Sequence, residues 1–282
     1  VSSPSRPVNI LPKHDVLSAL FASWDDIDRL MTTVGEEQWR NPSPLPGWTV
    51  HSLVAHMVGT ESFLLGEPTP DDVDVSSFQH VRNEIGALNE RWVARLSGET
   101  GDGLLQLFRT VTDRRRAALA AMADDEWAAV GFTPAGPDSY GRFMRIRVFD
   151  CWMHEQDIRQ ALDRPPSDED LDGPAARMAL DEIAASMGFV VGKLGKAPEG
   201  SRVAIELTGP LRRTVRVAVL GRAAVVDDFG GAEPTTTIRL DALQFSRLCG
   251  GRPLVPGRST DIQVGGDAEV GQRIVDNLNY VI

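Results

Sequence analysis

Residues 140–170 read YGRFMRIRVFDCWMHEQDIRQALDRPPSDED, and the fold turns on this stretch. Helical periodicity runs from Tyr140 to Leu162 and stops at Pro165-Pro166, because proline has no N–H for a helix interior. Ser167-Asp168-Glu169-Asp170 then reads as an exposed linker. Before it, the chain is helical. Val16, Leu17, Leu20, Phe21, Trp24, Ile27, Leu30 and Met31 form one stripe within Lys13 to Val34. Thr49 is a good N-cap for a second helix, His51 to Leu65. A third runs from Phe78 to Leu96, and after Gly98, Gly101 and Gly103 a fourth runs from Leu104 to Met122. Amphipathic helices on short loops predict an antiparallel bundle. After the linker one helix is expected from Leu171 to Leu194. Short alternating runs follow at 203–207, 214–219, 223–226, 235–240 and 261–264, with helices at 241–249 and 268–278. The expected fold is therefore α plus α+β: a loose arm over 1–12, a helical bundle over 13–166 and a smaller α+β domain over 167–282.

A net charge of −11 opposes binding to nucleic acid and to anionic membrane surfaces. The densest basic run, Arg114-Arg115-Arg116, points in three directions on a helix and reads as solvated surface. No apolar run has the length of a membrane span. Two distant cysteines, Cys151 and Cys249, make neither a disulfide framework nor a zinc knuckle, which fits a reducing, cytoplasmic location. Cys151 reads as a small buried filler.

The chemistry concentrates at RVFDCWMHEQDIR, 147–159. Asp150 and His154 are i and i+4 and share a helix face, where they make either a simple pair or two ligands of one metal ion. Phe149, Trp152 and Ile158 mark a packed helix, where a charged pair needs a partner. His56, beside the buried side of the second helix, would complete a three-ligand set with one open position, the catalytic arrangement for zinc. Asp157 is placed to orient a ligand from behind. His14, His51 and His80 read as surface residues.

Two motifs carry a family resemblance. PGWTVHSLVAHM, 46–57, resembles the second-helix motif of the mycothiol-dependent maleylpyruvate isomerases, within the DinB-like metalloenzymes, and 147–159 resembles their fourth-helix motif. TTTIRLDAL, 235–243, with the strands before it resembles their sterol-carrier-protein-like C-terminal domain. The resemblance implies a DinB-like four-helix bundle and a divalent metal, usually zinc, on His56, Asp150 and His154. The isomerases place a glutamate at the Asp150 position. Aspartate is one methylene shorter, which would bring the metal nearer the helix backbone, and it is itself a competent zinc ligand.

The resemblance also implies mycothiol as the source of a thiolate, which a bound cation favours. The thiolate would add to an electrophilic small molecule, either for cis–trans isomerisation of maleylpyruvate or for S-transfer. Arg252 and Arg258, in a loop between helix and strand, are the candidate anion-binding catalytic residues, ahead of Arg147 and Arg159. Two other functions fit the residues: a non-catalytic small-molecule binding module, and a metal-dependent hydrolase with Asp157 as base. Oligomeric state is not encoded in these motifs. Limited proteolysis checks the predicted boundary: the first cuts are expected near 165–170, and cutting confined to the helical half would displace it.

Overall fold

The computed structural model describes residues 7–75, 78, 81–255 and 257–281. His80 lies outside them. The chain divides into two compact units, one ending at Arg164 and the other beginning at Pro165.

The first unit is helical: α1 (Lys13–Met31), a 3-10 turn (Glu36–Arg40), α2 (Val50–Leu64), α3 (Glu84–Leu96), α4 (Gly101–Ala121), α5 (Asp124–Ala128) and α6 (Tyr140–Ala161). A two-stranded antiparallel ribbon, β1 (Val130–Gly131) and β2 (Asp138–Ser139), precedes α6. Helices α1 and α2 each pack on both α4 and α6, and α3 lies along α2. Trp24, Ile27, Leu53, Met57, Phe108, Met144 and Trp152 fill the core. Burying such side chains contributes about 1.5–3 kcal/mol each.

Side-chain caps set where the helices begin. Thr49 accepts from the Ser52 N–H at the start of α2, and Ser139 from the Arg142 N–H at the start of α6. The third helix begins at Glu84 rather than near Phe78, because Asn83 caps it through the Gly86 N–H. The fourth begins earlier than expected, at Gly101, because Thr100 caps it through the Gly103 N–H. Gly101 is not a breaker there. A Cβ at this position would lie 2.4 Å from the Trp39 indole, so the missing side chain admits the ring.

The expected loose arm is fastened from Asn9 onward. Its N–H and side-chain amide donate to the two Asp138 carboxylate oxygens at 2.8 and 2.7 Å, and the Trp127 Nε1–H donates to the Leu11 carbonyl at 2.8 Å.

The second unit contains α7 (Asp168–Leu171), α8 (Pro174–Phe189) and a π-helical turn (Val190–Leu194) where one helix was expected. Pro174 supplies no N–H and so opens a new helix instead of continuing the old one. Then come β3 (Arg202–Thr208), β4 (Arg213–Leu220), β5 (Arg222–Val226), β6 (Thr236–Asp241), α9 (Ala242–Cys249), β7 (Gln263–Gly266) and α10 (Ala268–Asp276). The sheet order is β5-β4-β3-β6-β7. β3, β4 and β5 form an antiparallel meander, as their alternation suggests, but β6 joins β3 in parallel. Val203, Ile205, Leu207, Val215, Val217, Ile238 and Leu240 are the buried face of the sheet. The architecture is α plus α+β. Among the described residues, no helix is long and apolar enough to cross a membrane.

Gly59 measures how tightly the bundle is packed. A Cβ there would lie 2.3 Å from the Trp92 Cβ. Gly59→Ala is expected to destabilise the bundle by about 1–3 kcal/mol through overpacking, although alanine is the better helix former. A melting temperature equal to or above that of the unsubstituted protein would contradict this.

Candidate metal centre

His56 is carried on α2, and Asp150 and His154 on α6. The i,i+4 spacing on α6 puts its two side chains on one face, and the α2–α6 contact brings His56 opposite them. His56 Nε2 is 3.2 Å from Asp150 Oδ2, and His154 Nε2 is 3.5 Å from Asp150 Oδ1. One ligand atom from each of the three residues lies within 4.8 Å of the others. Among the described residues, this is the group of three or more His, Cys, Asp or Glu side chains with metal-binding proximity.

The donor set fits a divalent cation. Bonds of about 2.0–2.1 Å in tetrahedral array separate ligand atoms by about 3.3 Å, and each imidazole Nε2 lies close to that distance from one Asp150 oxygen, His56 from Oδ2 and His154 from Oδ1. The imidazole tautomers also fit. His154 Nδ1 is 3.3 Å from Asp157 Oδ2, so a proton on Nδ1 is held by a buried carboxylate. The Thr60 hydroxyl donates to the His56 carbonyl at 3.0 Å and can accept from His56 Nδ1 at 3.4 Å. With Nδ1–H held in this way, each ring would offer an unprotonated Nε2 to a bound cation, in place of the Nε2–H that faces the Asp150 carboxylate without one. Both imidazoles are buried, whereas the Asp150 side chain is 31% exposed, so the cluster opens on the carboxylate side.

The electrostatics keep Asp150 anionic. Burial alone would raise its pKa, but the Arg147 guanidinium and the two imidazoles outweigh this and hold it well below the usual carboxylate range. Burial also lowers His56, and Asp150 opposes that only in part. For His154 burial acts the same way, yet Asp150 and Asp157 outweigh it and the pKa is raised. Trp48 forms one wall: its ring centroid is 5.3 Å from that of His56 and 6.2 Å from that of His154. Its Nε1–H donates to Glu90 on α3 at 2.9 Å.

Several sequence expectations change here. Arg147 is buried, with Nε 3.0 Å from Glu61 Oε1 and Nη1 2.5 Å from Asp150 Oδ2, so it is not an exposed anion binder. Arg159 donates to Glu155 at 2.7 Å. Arg115 is not solvated surface: it is buried and donates to Glu61 at 2.8 Å. His51 is half-buried, with Nε2 3.0 Å from the Glu99 carbonyl oxygen, while His14 is exposed. Cys151 is fully buried, and burial pushes its thiol up to about 12. Arg252 and Arg258 belong to the second unit. There Arg258 donates to Asp241 at 3.0 Å and lies 3.5 Å from Asp168. Glu61 and Glu90 escaped the sequence reading, because their partners lie on other helices at separations that no local pattern marks.

A family model described as the mycothiol maleylpyruvate isomerase N-terminal domain matches residues 20–159, and one for the MDMPI C-terminal domain matches 177–273. The chain belongs to this family. An uncharacterised protein of Mycobacterium tuberculosis, matched in two strains, is 27% identical over 147 residues. That alignment covers 51% of this chain and 54% of the relative, so the chain spans about half the length of the curated relatives it matches. The crystal structure of the mycothiol-dependent maleylpyruvate isomerase is similar at a TM-score of 0.58 and 18% identity, covering 90% of this chain and 93% of that one. A variant of that enzyme with one histidine replaced by alanine gives 0.57 and 17%. At these identities the likeness establishes the fold alone.

The cluster predicts a proton-coupled metal site. His154 is the imidazole with the raised pKa, so a cation competes with a proton there more strongly than at His56, whose pKa is lowered. Apparent affinity for zinc is expected to fall about tenfold per pH unit below the His154 pKa. Calorimetry in buffers of different ionisation enthalpy reads the released proton. His154→Ala should lose the metal, and equal metal content in the two proteins would reject the site.

Proposed function

We propose that this family member is a metal-dependent enzyme that uses a low-molecular-weight thiol, mycothiol, as a thiolate nucleophile. The electrophile is a small molecule, in cis–trans isomerisation of the maleylpyruvate type or in S-transfer. The observation that carries the reading is the convergence of two buried imidazoles and one partly exposed carboxylate around a point open on one side. A divalent cation such as zinc, held by His56, Asp150 and His154, would stabilise a thiolate at neutral pH.

The chain's own residues support this role in three ways. Asp157 and Thr60 fix the His154 and His56 rings, so little reorganisation is needed when the cluster binds a cation. Trp48 covers the two imidazoles and limits water at one flank. Cys151 does not supply the thiol, since it is fully buried and its pKa is about 12. The nucleophile must therefore arrive from outside the chain. Arg252 and Arg258 are proposed, within the second unit alone, as contacts for a carboxylate-bearing small molecule. The hydrolase reading is weaker, because Asp157 is buried behind His154 and is engaged by its Nδ1.

Turnover of maleylpyruvate, or conjugation of a simple electrophile, is expected only when mycothiol or a close analogue is added. Cys151→Ser should keep most of the activity. His56→Ala should lose nearly all of it, since two ligands hold zinc poorly. Full turnover without any thiol would favour a metal-activated water instead. Absence of turnover in a metal-loaded protein supplied with thiol would favour a binding module.

A further inference from the structure

A row of buried charges continues behind the ligand cluster. Arg147 Nη1 lies 2.5 Å from Asp150 Oδ2. The other edge of the same guanidinium faces Glu61, with Nε at 3.0 Å and Nη2 at 2.9 Å from Oε1. Glu61 Oε2 accepts from Arg115 Nε at 2.8 Å, and Arg115 Nη2 reaches the Tyr140 hydroxyl at 3.2 Å. Arg115, Glu61 and Arg147 are almost fully buried and come from α4, α2 and α6. Only Asp150, at the end of the row, is substantially exposed.

We propose that Arg147, braced by Glu61 and Arg115, is a positioning residue that fixes the Asp150 carboxylate between His56, on the Oδ2 side, and His154, on the Oδ1 side, in the orientation a cation shared by the three would need. The proposal rests on the metal reading of His56, Asp150 and His154. An aspartate at a partly exposed helix position is otherwise free to turn its carboxylate toward water. The short charge-assisted contact at Oδ2 removes that freedom. The brace cannot swing away easily, because losing the Arg147–Glu61 pair would strand buried charges. Its charges also cancel: Arg115 and Arg147 offset Glu61 and Asp150. The row therefore sets geometry without adding net negative charge to the centre, and the ligand alignment depends on α2 and α4 as much as on α6.

The test uses the full chain, freed of metal and titrated with Co(II) against a chromophoric chelator. Visible spectra and melting curves of the metal-free proteins are recorded in parallel. The unsubstituted protein is expected to bind about one Co(II). Glu61→Gln and Arg147→Met should bind about 10–100-fold more weakly, the usual effect of losing a ligand's supporting partner. Arg147→Lys, which keeps the charge at Asp150, should fall between. The Co(II) spectrum of Arg147→Met should change as the Asp150 carboxylate loses its fixed orientation. Lowered melting temperatures with unchanged Co(II) affinity and spectrum would overturn the proposal and leave Arg147 a purely structural residue. If Arg147→Met does not fold, the same criterion is applied to Glu61→Gln and Arg147→Lys. Failure of the unsubstituted protein to bind Co(II) would instead reject the metal reading, and the positioning role with it.

Discussion

Two arginines and one glutamate sit where a helical bundle would ordinarily place hydrocarbon. Arg115, Glu61 and Arg147 are each removed from water, and each is tolerated only because the others are present. Replacing such a set by apolar side chains is often neutral or favourable for stability, so stability alone is a poor reason to keep it. What the set does is fasten three helices at one level of the bundle and deliver a guanidinium to Asp150. Asp150 is thereby tied to α2 and α4 as well as to its own helix. α6 supplies two members of the ligand cluster by spacing alone, while the third depends on α2 lying against α6.

The cluster is built in layers that differ in exposure. Asp157 and Thr60 stand behind the two imidazoles, and Trp48 flanks them. Asp150 is the partly open member. Such layering suits a centre that must hold a cation firmly and still admit a ligand from one side. Trp48 precedes α2 by two residues and is tied to Glu90 on α3, so the loop that caps α2 also closes one flank of the cluster. The two cysteines contribute differently. Burial makes the thiol of Cys151 a poor nucleophile and raises the pKa of Cys249, in the second unit, as well.

Much of this was legible in the sequence. Helical periodicity, the Thr49 cap and the proline stop after Leu162 are local signals, and the structure follows them to within a few residues. The i,i+4 relation of Asp150 and His154 is a property of helix geometry, so their shared face needed no tertiary information. The alternating strands of the second unit were equally local. Their order was not, because β6 joins β3 in parallel through residues 227–235, and pairing across a sheet is a long-range choice.

What the sequence by itself determined, then, is the helical half, the sheet-containing half, the family motifs and the shared helix face of Asp150 and His154. Each depends on contacts within a few turns or on a residue pattern along one element. Only the tertiary structure decided that Arg115 and Arg147 are interior rather than surface, that Asn9 is fastened to Asp138, and that Glu61 joins both arginines. These pairs are separated by 54, 86 and 129 residues, and an arginine in a helix has the same local signature whether it faces water or a buried carboxylate. Its fate is set by which helix packs against it, and that depends on the whole core.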